Sequence, residues 1–276
     1  MTTRAHAPHG RRHRRPDRET PSAGGAARTR QSHDRCLDAP PVTRSERLGP
    51  HPAGTHHDGA AEERKSIMTT ASTASAPIGL VLIDTVNEIF SEQGKGYPGF
   101  KAEFERIGTL GNLRRLLAGF RDKGFPAFFS PMSYTDEEYA HWRHKSGIHH
   151  MMFDNRMFEA GSWGAEFHPD LTPGPHDVTI APHKNLDVFA TTDLDIQLKR
   201  RGVEHVVVAG MIGTMCVEST ARSAMERGYR VTLVPDATAP DGGPDSYEQM
   251  LRRYALIAHE VLPTGELLAT EPFRSR

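Results

Sequence analysis

Three side chains that can cooperate in nucleophilic catalysis each follow a predicted strand of this chain. Asp84 comes directly after an apolar run, Lys184 follows a second run after a short loop, and Cys216 lies in a glycine-containing corner between a β-branched run and a helix. A thiol needs a base and a charge partner to become a nucleophile at neutral pH. Asp84 can accept the thiol proton, and Lys184 can stabilise the thiolate and orient the carboxylate by its charge. The set predicts a nucleophilic cysteine site.

Each of these residues also has a plainer interpretation. A lone cysteine such as Cys216 is more often a small buried hydrophobe, Asp84 fits a strand-end turn, and Lys184 fits an exposed surface. Against this, Cys216 falls at the predicted first turn of a helix, where partial positive charge and free N–H groups favour the thiolate. The placement of all three residues at one edge of one sheet favours the catalytic interpretation.

The elements that must position these residues alternate between β-branched runs and amphipathic stretches. Strands are predicted at 78–83, 125–129, 178–180, 206–209 and 231–234, and helices at 110–121, 193–199, 217–226 and 247–259. This alternation predicts an α/β fold, a three-layer α/β/α sandwich with a central, mostly parallel sheet. Ligands of such sheets collect at the carboxyl ends of the strands. Residues 130–177 are only weakly periodic and rich in His, Met, Pro and aromatic residues, which is typical of a lid or pocket wall.

Residues 1–67 differ in composition from the rest of the chain. They contain no Phe, Trp or Tyr and many Arg, His, Pro and Gly, so they cannot bury enough apolar surface to offset the entropy of ordering. We therefore predict a disordered basic N-terminal extension. It lacks the apolar core of a secretory signal, and its acidic residues argue against a transit peptide. Met68 is a candidate natural start, which would place residues 1–67 outside the native protein.

Charge and cysteine usage bound the partners and the compartment. The chain has a formal net charge of −1, and without the basic extension the rest is mildly acidic, so nucleic acid is not an expected partner. The other cysteine, Cys36, lies in the extension, so we expect no structural disulfide and a reducing, cytoplasmic setting. No apolar run reaches the length that crosses a bilayer, and no membrane partner is expected.

Several motifs in order give the core of the chain a resemblance to a known family. They are residues 80–84 (Leu-Val-Leu-Ile-Asp), 161–166 (Gly-Ser-Trp-Gly-Ala-Glu), Lys184 with Phe189, Thr192, Leu194 and Leu198, 208–217 (Val-Ala-Gly-Met-Ile-Gly-Thr-Met-Cys-Val) with Thr220 and Ala221, 228–229 (Gly-Tyr) and 235–237 (Pro-Asp-Ala). Over about residues 78–262 the chain resembles the isochorismatase-like cysteine hydrolase superfamily, which includes nicotinamidases, N-carbamoylsarcosine amidases and ureidoacrylate amidohydrolases. Taken together, in this order and spacing, the motifs are specific.

The resemblance implies an Asp–Lys–Cys triad on Asp84, Lys184 and Cys216. The cysteine attacks a carbonyl carbon, ammonia or an amine leaves, and water hydrolyses the thioester. The resemblance also implies a non-proline cis peptide between Met211 and Ile212, with the N–H groups of Ile212 and Cys216 forming an oxyanion hole. It implies no cofactor, and it implies a homodimer or homotetramer.

Features that the chain lacks narrow the activity. Isochorismatases proper cleave a vinyl ether and lack the cysteine, so Cys216 favours amide chemistry. Nicotinamidases carry an Asp-x-His metal motif after the second strand, where residues 130–134 here read Ser-Pro-Met-Ser-Tyr, so no metal is expected. Many members have Gln two residues and Phe five residues after the aspartate, where this chain has Val86 and Ile89; Asn87 and Phe90 are candidates for the nearby roles.

Two further groups of residues are candidates for the pocket. The predicted substrate-binding residues are Asn87, Met132, Tyr134 and Trp142. A histidine cluster within the predicted lid comprises His141, His144, His149 and His150. A His-x-x-His pair on a helix can bind zinc, but no Cys or suitably placed carboxylate completes a ligand set, so substrate contact or a solvated lid is the preferred interpretation.

The predicted function is hydrolysis of a carbon–nitrogen bond in a small amide or carbamoyl compound by a cysteine hydrolase domain at 78–270. A different acyl or ether hydrolysis on the same fold is one alternative. Another is a catalytically idle family member that binds a small molecule or a partner protein. The residues that would select a substrate lie in the irregular stretch 130–177, which carries no motif that names one.

Overall fold

A computed structural model describes residues 77–243 and 245–274 of the chain. Its centre is a six-stranded sheet, and every neighbouring pair of strands is parallel. The strands are β1 (Ile78–Ile83), β2 (Ala127–Ser130), β3 (Val178–Thr179), β4 (His205–Gly210), β5 (Arg230–Leu233) and β6 (Glu260–Val261). They lie in the order β3-β2-β1-β4-β5-β6.

The two central strands form the core of the molecule. All six residues of β1, which read Ile-Gly-Leu-Val-Leu-Ile, are buried, as are the last five of β4. A parallel sheet is covered on both faces, so its central strands are continuous apolar runs without polar alternation. The two strands pair along their whole length, from Ile78 opposite His205 to Ile83 opposite Gly210.

Ten α-helices lie in the described part of the chain. They are α1 (Asn87–Phe90), α2 (Lys101–Ile107), α3 (Thr109–Asp122), α4 (Asp136–His141), α5 (Gly147–Asp154), α6 (Val188–Thr191), α7 (Leu194–Arg200), α8 (Glu218–Glu226), α9 (Ser246–Ile257) and α10 (Thr264–Leu267). The longest, α3, buries Leu113, Leu116, Leu117 and Phe120 on one face. This i, i+3, i+4, i+7 spacing is what places a helix against a sheet.

The order of the strands explains where a site can form. From β1 the chain moves outward through β2 to β3, then returns to β4 and moves outward the other way through β5 to β6. Right-handed crossovers running in opposite directions place their helices on opposite faces, which gives the three layers. The point where the direction reverses lies between β1 and β4, and ligand clefts of such sheets open at the carboxyl ends of the strands there.

The predicted fold class is confirmed, and most predicted elements fall within one or two residues of the observed ones. The sequence patterns missed the two-residue strand β6, the short helices α1, α2, α6 and α10, and the two helices α4 and α5 within the predicted irregular stretch 130–177. The predictions for residues 1–67, including the disordered extension and the candidate start Met68, lie outside the described residues.

None of the helices in the described ranges combines the length and the apolar character needed to cross a membrane.

Candidate active site

Asp84 and Cys216 lie at the carboxyl ends of the two central strands. Asp84 follows Ile83, the last residue of β1, and its backbone N–H donates to the carbonyl of Ser130 at 2.9 Å. Its φ angle is 52°, a left-handed conformation that Asp adopts more readily than most residues. Met211, which follows β4, donates its N–H to the carbonyl of Ile83 at 2.9 Å. Hydrogen bonds of the sheet therefore hold both chain segments that carry the site.

The segment between β4 and α8 brings the thiol to this edge. The peptide bond between Met211 and Ile212 is cis, at the place that the family resemblance implied. The chain then forms one turn of π-helix at Gly213–Val217, directly before α8. Cys216 therefore lies just before the helix and not within its first turn. The phenol of Tyr254 supports this turn by donating to the carbonyl of Gly213 at 2.8 Å.

The thiol of Cys216 is buried, with 5% of the residue exposed. The carboxylate of Asp84 lies in the wall of the same cavity as the thiol, and the groups that act on the pKa of the thiol are this carboxylate and the backbone N–H groups of Ile212 and of Cys216 itself. Burial raises the pKa of the thiol well above its usual range, the charge and hydrogen bond of Asp84 raise it further, and the two N–H groups oppose the rise. The expectation of a resting thiolate is thus corrected, because the burial and the carboxylate outweigh the backbone N–H groups.

The second partner of Asp84 is His183, which the sequence interpretation missed. Its Nε2 lies 2.7 Å from Oδ1 of Asp84, and its Nδ1 lies 2.6 Å from the carbonyl oxygen of Asn185. His183 is fully buried and Asp84 is 3% exposed. Burial by itself lowers the pKa of His183, but the charge and hydrogen bond of Asp84 and the bond to Asn185 outweigh it, so the pKa lies above its ordinary value.

Lys184 is not brought to the thiol. Its ammonium donates to the carbonyl oxygen of Ser133 and, at 2.8 Å, to the carboxylate of Glu138. It borders a separate surface cavity with residues of α4 and does not line the cavity that contains Cys216. The predicted position of Lys184 beside Asp84 is therefore corrected. The physical reason is that His183 and Lys184 are neighbours in an extended segment, bridged to Met132 at His183, and successive side chains of extended backbone point to opposite sides.

A cavity of about 300 Å³ opens directly onto Asp84 and Cys216. Its wall is largely apolar and includes six methionines: Met132, Met151, Met152, Met157, Met211 and Met215. Five further apolar side chains complete it: Ile89, Phe100, Ile148, Phe158 and Ile212. The volume is at the lower end of the range that small-molecule sites occupy.

Only one of the four predicted substrate-binding side chains lines this cavity, namely Met132. Asn87 is held by the carbonyl of Trp163 at 3.0 Å and by Ser91. Tyr134 is fully buried and donates to the carbonyl of Lys184 at 2.6 Å, and Trp142 stacks with His149 at a centroid distance of 5.0 Å. These three side chains support the wall from behind and do not face the cavity.

The predicted histidine cluster lies outside the cavity as well. His141 ends α4 and borders the surface cavity beside Lys184, and Nδ1 of His149 lies 2.7 Å from the hydroxyl of Ser146. Within residues 77–243 and 245–274, no group of three or more His, Cys, Asp or Glu side chains is arranged to hold a metal ion.

A buried carboxylate, Glu88, ties the cavity wall to α1, and the sequence interpretation gave it no role. One of its oxygens accepts the N–H of Lys95 at 2.7 Å, and the other accepts the N–H of Phe158 at 3.1 Å. The residue is 3% exposed, so this carboxylate is satisfied by backbone donors, which buried charges require. It fixes two wall segments that are 63 residues apart in sequence to the same short helix.

The fold and the site define an α/β protein with a parallel sheet and a buried thiol–carboxylate pair at its switch point. The family model described as the isochorismatase domain matches residues 79–266, and the chain belongs to this family.

Among curated relatives, an uncharacterised isochorismatase family protein of Bacillus subtilis is 33% identical over 128 residues, covering 46% of this chain and 62% of the relative. A ureidoacrylate amidohydrolase of Variovorax paradoxus is 28% identical over 148 residues, covering 49% of this chain and 58% of the relative. This chain thus spans about three-fifths of the length of these two relatives.

Solved structures show the same fold. An N-carbamoylsarcosine amidase from Thermoplasma acidophilum is 27% identical with a TM-score of 0.53, covering 68% of this chain and 97% of that one. An isochorismatase family protein from Desulfovibrio vulgaris is 22% identical with a TM-score of 0.60, covering 70% of this chain and 97% of that one. The second likeness concerns the fold alone.

Proposed function

We propose that this protein hydrolyses a carbon–nitrogen bond of a small amide or carbamoyl compound, with Cys216 as the nucleophile. The observation that carries the proposal is the environment of the sulfur. The carboxylate of Asp84 and the N–H groups of Ile212 and Cys216 act on it, and it shares with Asp84 a largely apolar cavity. A base, an anion site and a substrate cavity thus converge on one thiol, which is the arrangement that acyl transfer to a nucleophile requires.

In the first half of the reaction, Asp84 accepts the thiol proton as the sulfur attacks the carbonyl carbon. The raised pKa of the Cys216 thiol means that proton transfer accompanies the attack, because the thiol is protonated at rest. The negative charge that develops on the carbonyl oxygen is placed at the N–H groups of Ile212 and Cys216. Asp84 then returns its proton to the nitrogen as the carbon–nitrogen bond breaks, and ammonia or an amine leaves a thioester behind.

In the second half, Asp84 takes a proton from the water that attacks the thioester carbon. The carbon–sulfur bond breaks, the acid is released, and the sulfur recovers its proton from Asp84. Each proton that Asp84 accepts is returned within the cycle, so the reaction needs no cofactor. The names of the relatives, ureidoacrylate amidohydrolase and N-carbamoylsarcosine amidase, support this class of bond.

The cavity wall points to a substrate whose substituent is uncharged and apolar. Lys95 is the one cationic side chain in the described wall of this cavity, and its ammonium already donates to the carbonyl of Arg156 at 2.8 Å. The ionisable oxygens in the cavity wall belong to Asp84 and Asp241, and these carboxylates repel the carboxylate of a substrate. Methionine side chains adapt to the shape of an apolar group. We therefore propose an amide with an aliphatic or aromatic substituent, in contrast to the carboxylate that the word ureidoacrylate denotes.

Ammonia release from a small set of primary amides tests both statements. Hexanamide and benzamide are paired with adipamate and terephthalamate, in which a carboxylate replaces the terminal methyl group of hexanamide or the para hydrogen of benzamide. The neutral member of each pair is expected to have a kcat/KM at least tenfold higher. A preference for the carboxylates would contradict the substrate class while leaving the reaction class intact.

The nucleophile is tested separately with Cys216→Ala and Cys216→Ser. Cys216→Ala is expected to abolish turnover and leave the near-UV circular dichroism unchanged. Acid-quenched wild-type enzyme should carry the acyl mass on the peptide that contains Cys216. Turnover by Cys216→Ala would overturn the proposed function, and binding of amides without turnover by the wild type would favour the idle family member.

A further inference from the structure

We propose that His183, not the neighbouring Lys184, is the positioning residue that supplies the positive charge to the Asp84–Cys216 pair. This inference rests on the proposed function and adds a residue and a pH dependence to it. Nε2 of His183 lies 2.7 Å from Oδ1 of Asp84, and both side chains are buried. The other oxygen partner of the ring is the backbone carbonyl of Asn185 at 2.6 Å.

The hydrogen bond to Asn185 restricts the protonation of the ring. A backbone carbonyl can only accept, so Nδ1 of His183 carries a hydrogen. The short contact between Nε2 and Asp84 then has two forms with the same number of protons: an imidazolium beside a carboxylate, or a neutral imidazole beside a carboxylic acid. Only the first form leaves Asp84 able to accept the proton of Cys216. The working state is therefore a protonated His183.

The charged groups around the ring favour this state. Among the residues that the structure describes, Asp84, at the end of β1, is the only carboxylate in contact with it. Lys184, on the same loop, opposes protonation by its charge, but its ammonium is directed to Ser133 and Glu138. The thiol of Cys216, from the π-turn before α8, lines the same cavity as Asp84, and the charge of Asp84 acts on its pKa. The imidazolium therefore contacts a carboxylate whose charge also acts on the thiol.

A histidine in this position makes the site sensitive to mild alkali. When His183 loses its proton, the lone pair of Nε2 faces the lone pairs of Asp84, and the thiol is left next to an uncompensated negative charge. A lysine in its place would keep its charge to a pKa of about 10.4. We expect turnover to fall as the pH rises through the raised pKa of His183, and we expect a lysine at this position to move that fall to higher pH.

The test compares three variants: His183→Gln, His183→Lys and Lys184→Gln. The glutamine amide can still donate a hydrogen bond to Asp84 but carries no charge, and lysine restores a charge that does not titrate near neutrality. His183→Gln is expected to lower kcat/KM about 10²–10⁴-fold, the range for a group in acid–base catalysis. His183→Lys is expected to recover at least tenfold of that loss. Lys184→Gln is expected to change kcat/KM less than tenfold and to keep the wild-type pH profile.

A second measurement needs no substrate. The rate at which iodoacetamide alkylates Cys216, followed by mass spectrometry between pH 7 and 12, reports the pKa of the thiol. An opposite charge within about 4–6 Å shifts a pKa by about 1–3 units, so His183→Gln should move the midpoint of alkylation to higher pH by about that amount, and His183→Lys should move it back.

The results separate this inference from the proposed function. Inactivity of Cys216→Ala supports the proposed function by itself. If Lys184→Gln then shifts the pH profiles of turnover and of alkylation while His183→Gln shifts neither, His183 does not supply the charge and the inference is overturned. If His183→Gln fails to fold, the wild-type pH profile and the alkylation profile of His183→Lys still decide. An unchanged alkaline limit in His183→Lys contradicts the proposal, and a limit raised by about a unit or more supports it.

Discussion

Substitution of Gly210 should directly separate the strand that precedes Asp84 from the strand that precedes Cys216. Gly210 ends β4 opposite Ile83, and its φ angle of 110° is one that side chains rarely adopt. A Cβ atom built on it would lie 2.1 Å from the carbonyl oxygen and 2.6 Å from the nitrogen of Ile83. These are backbone atoms of the central strand, so neither can rotate away. Gly210→Ala must therefore push β4 away from β1.

The cost follows from two contributions. The left-handed backbone costs an alanine about 1–2 kcal/mol, and overpacking of a close contact costs about 1–3 kcal/mol, so we expect Gly210→Ala to lower the free energy of unfolding by about 2–5 kcal/mol. For a domain of this size the fall in Tm is about 2–4 °C per kcal/mol. Gly228→Ala is the matched control: its φ angle is also positive, at 86°, but its Cβ would meet nothing within 4 Å. It should lose only the backbone contribution.

Moving β4 away from β1 should also lower the rate of turnover. Ile83 directly precedes Asp84, and Gly210 is six residues before Cys216, so moving the two strands apart lengthens the contact between the carboxylate and the thiol. A misplacement of about 1 Å can cost about 10²-fold in rate. Urea unfolding and ammonia release, measured on both variants, check these expectations. If Gly210→Ala were as stable as Gly228→Ala and as active as the wild type, the close contact between β1 and β4 would not exclude a side chain at position 210.

The remaining predictions concern the cavity wall and the buried ion pair. Glu88→Gln removes one of the two acceptor oxygens that bind the N–H groups of Lys95 and Phe158. Leaving a buried donor unpaired costs about 1–3 kcal/mol, so we expect lower stability in urea unfolding and a raised KM. An unchanged KM would show that Glu88 does not shape the wall. The pKa of His183 is raised in the folded protein, so its pairing with Asp84 stabilises the fold fully below the unfolded pKa of about 6.5 and is lost as the pH rises through the folded pKa. The free energy of unfolding of the wild type should therefore approach that of His183→Gln as the pH rises above about 6.5, and a constant difference would contradict this linkage.

The carboxylate and the thiol could be placed from sequence because each follows a long, continuous buried strand. The long apolar runs of β1 and β4 show in the sequence where each strand ends, and parallel strands have their carboxyl ends at the same edge of the sheet. Asp84 and Cys216 were located in this way, and both line the same cavity in the structure.

The third partner was misplaced by one residue for a physical reason. The strand before it, β3, has only two residues, Val178–Thr179, and the chain between it and α6 is irregular, so the alternation gives no register there. Because successive extended residues face opposite sides, a shift of one position exchanges His183 for Lys184. The family resemblance also implies a lysine in the triad, which favoured Lys184 over its neighbour. A signal was present: two adjacent basic residues after a strand end leave two candidates.

The cavity wall was beyond sequence reasoning for a different reason. Met151, Met152 and Met157 come from α5 and the turn after it, within a stretch that seemed irregular. Their approach to the thiol depends on long-range contacts such as those of Glu88, and no local periodicity records these. Of the aromatic residues in that stretch, Phe158 lines the cavity whereas Tyr134 and Trp142 do not, so aromatic character alone did not identify the wall.

The pairing of β1 with β4 holds the carboxylate and the thiol, while a different segment of the chain forms much of the cavity wall. The carboxylate and the thiol are spaced by the hydrogen bonds of the central sheet, whereas much of the cavity wall belongs to the segment from Ile148 to Phe158. A change in that segment alters which molecules fit and leaves the spacing of the reacting groups untouched. Such a scaffold can acquire a new preference through substitutions in one short stretch of chain, without rebuilding its chemistry.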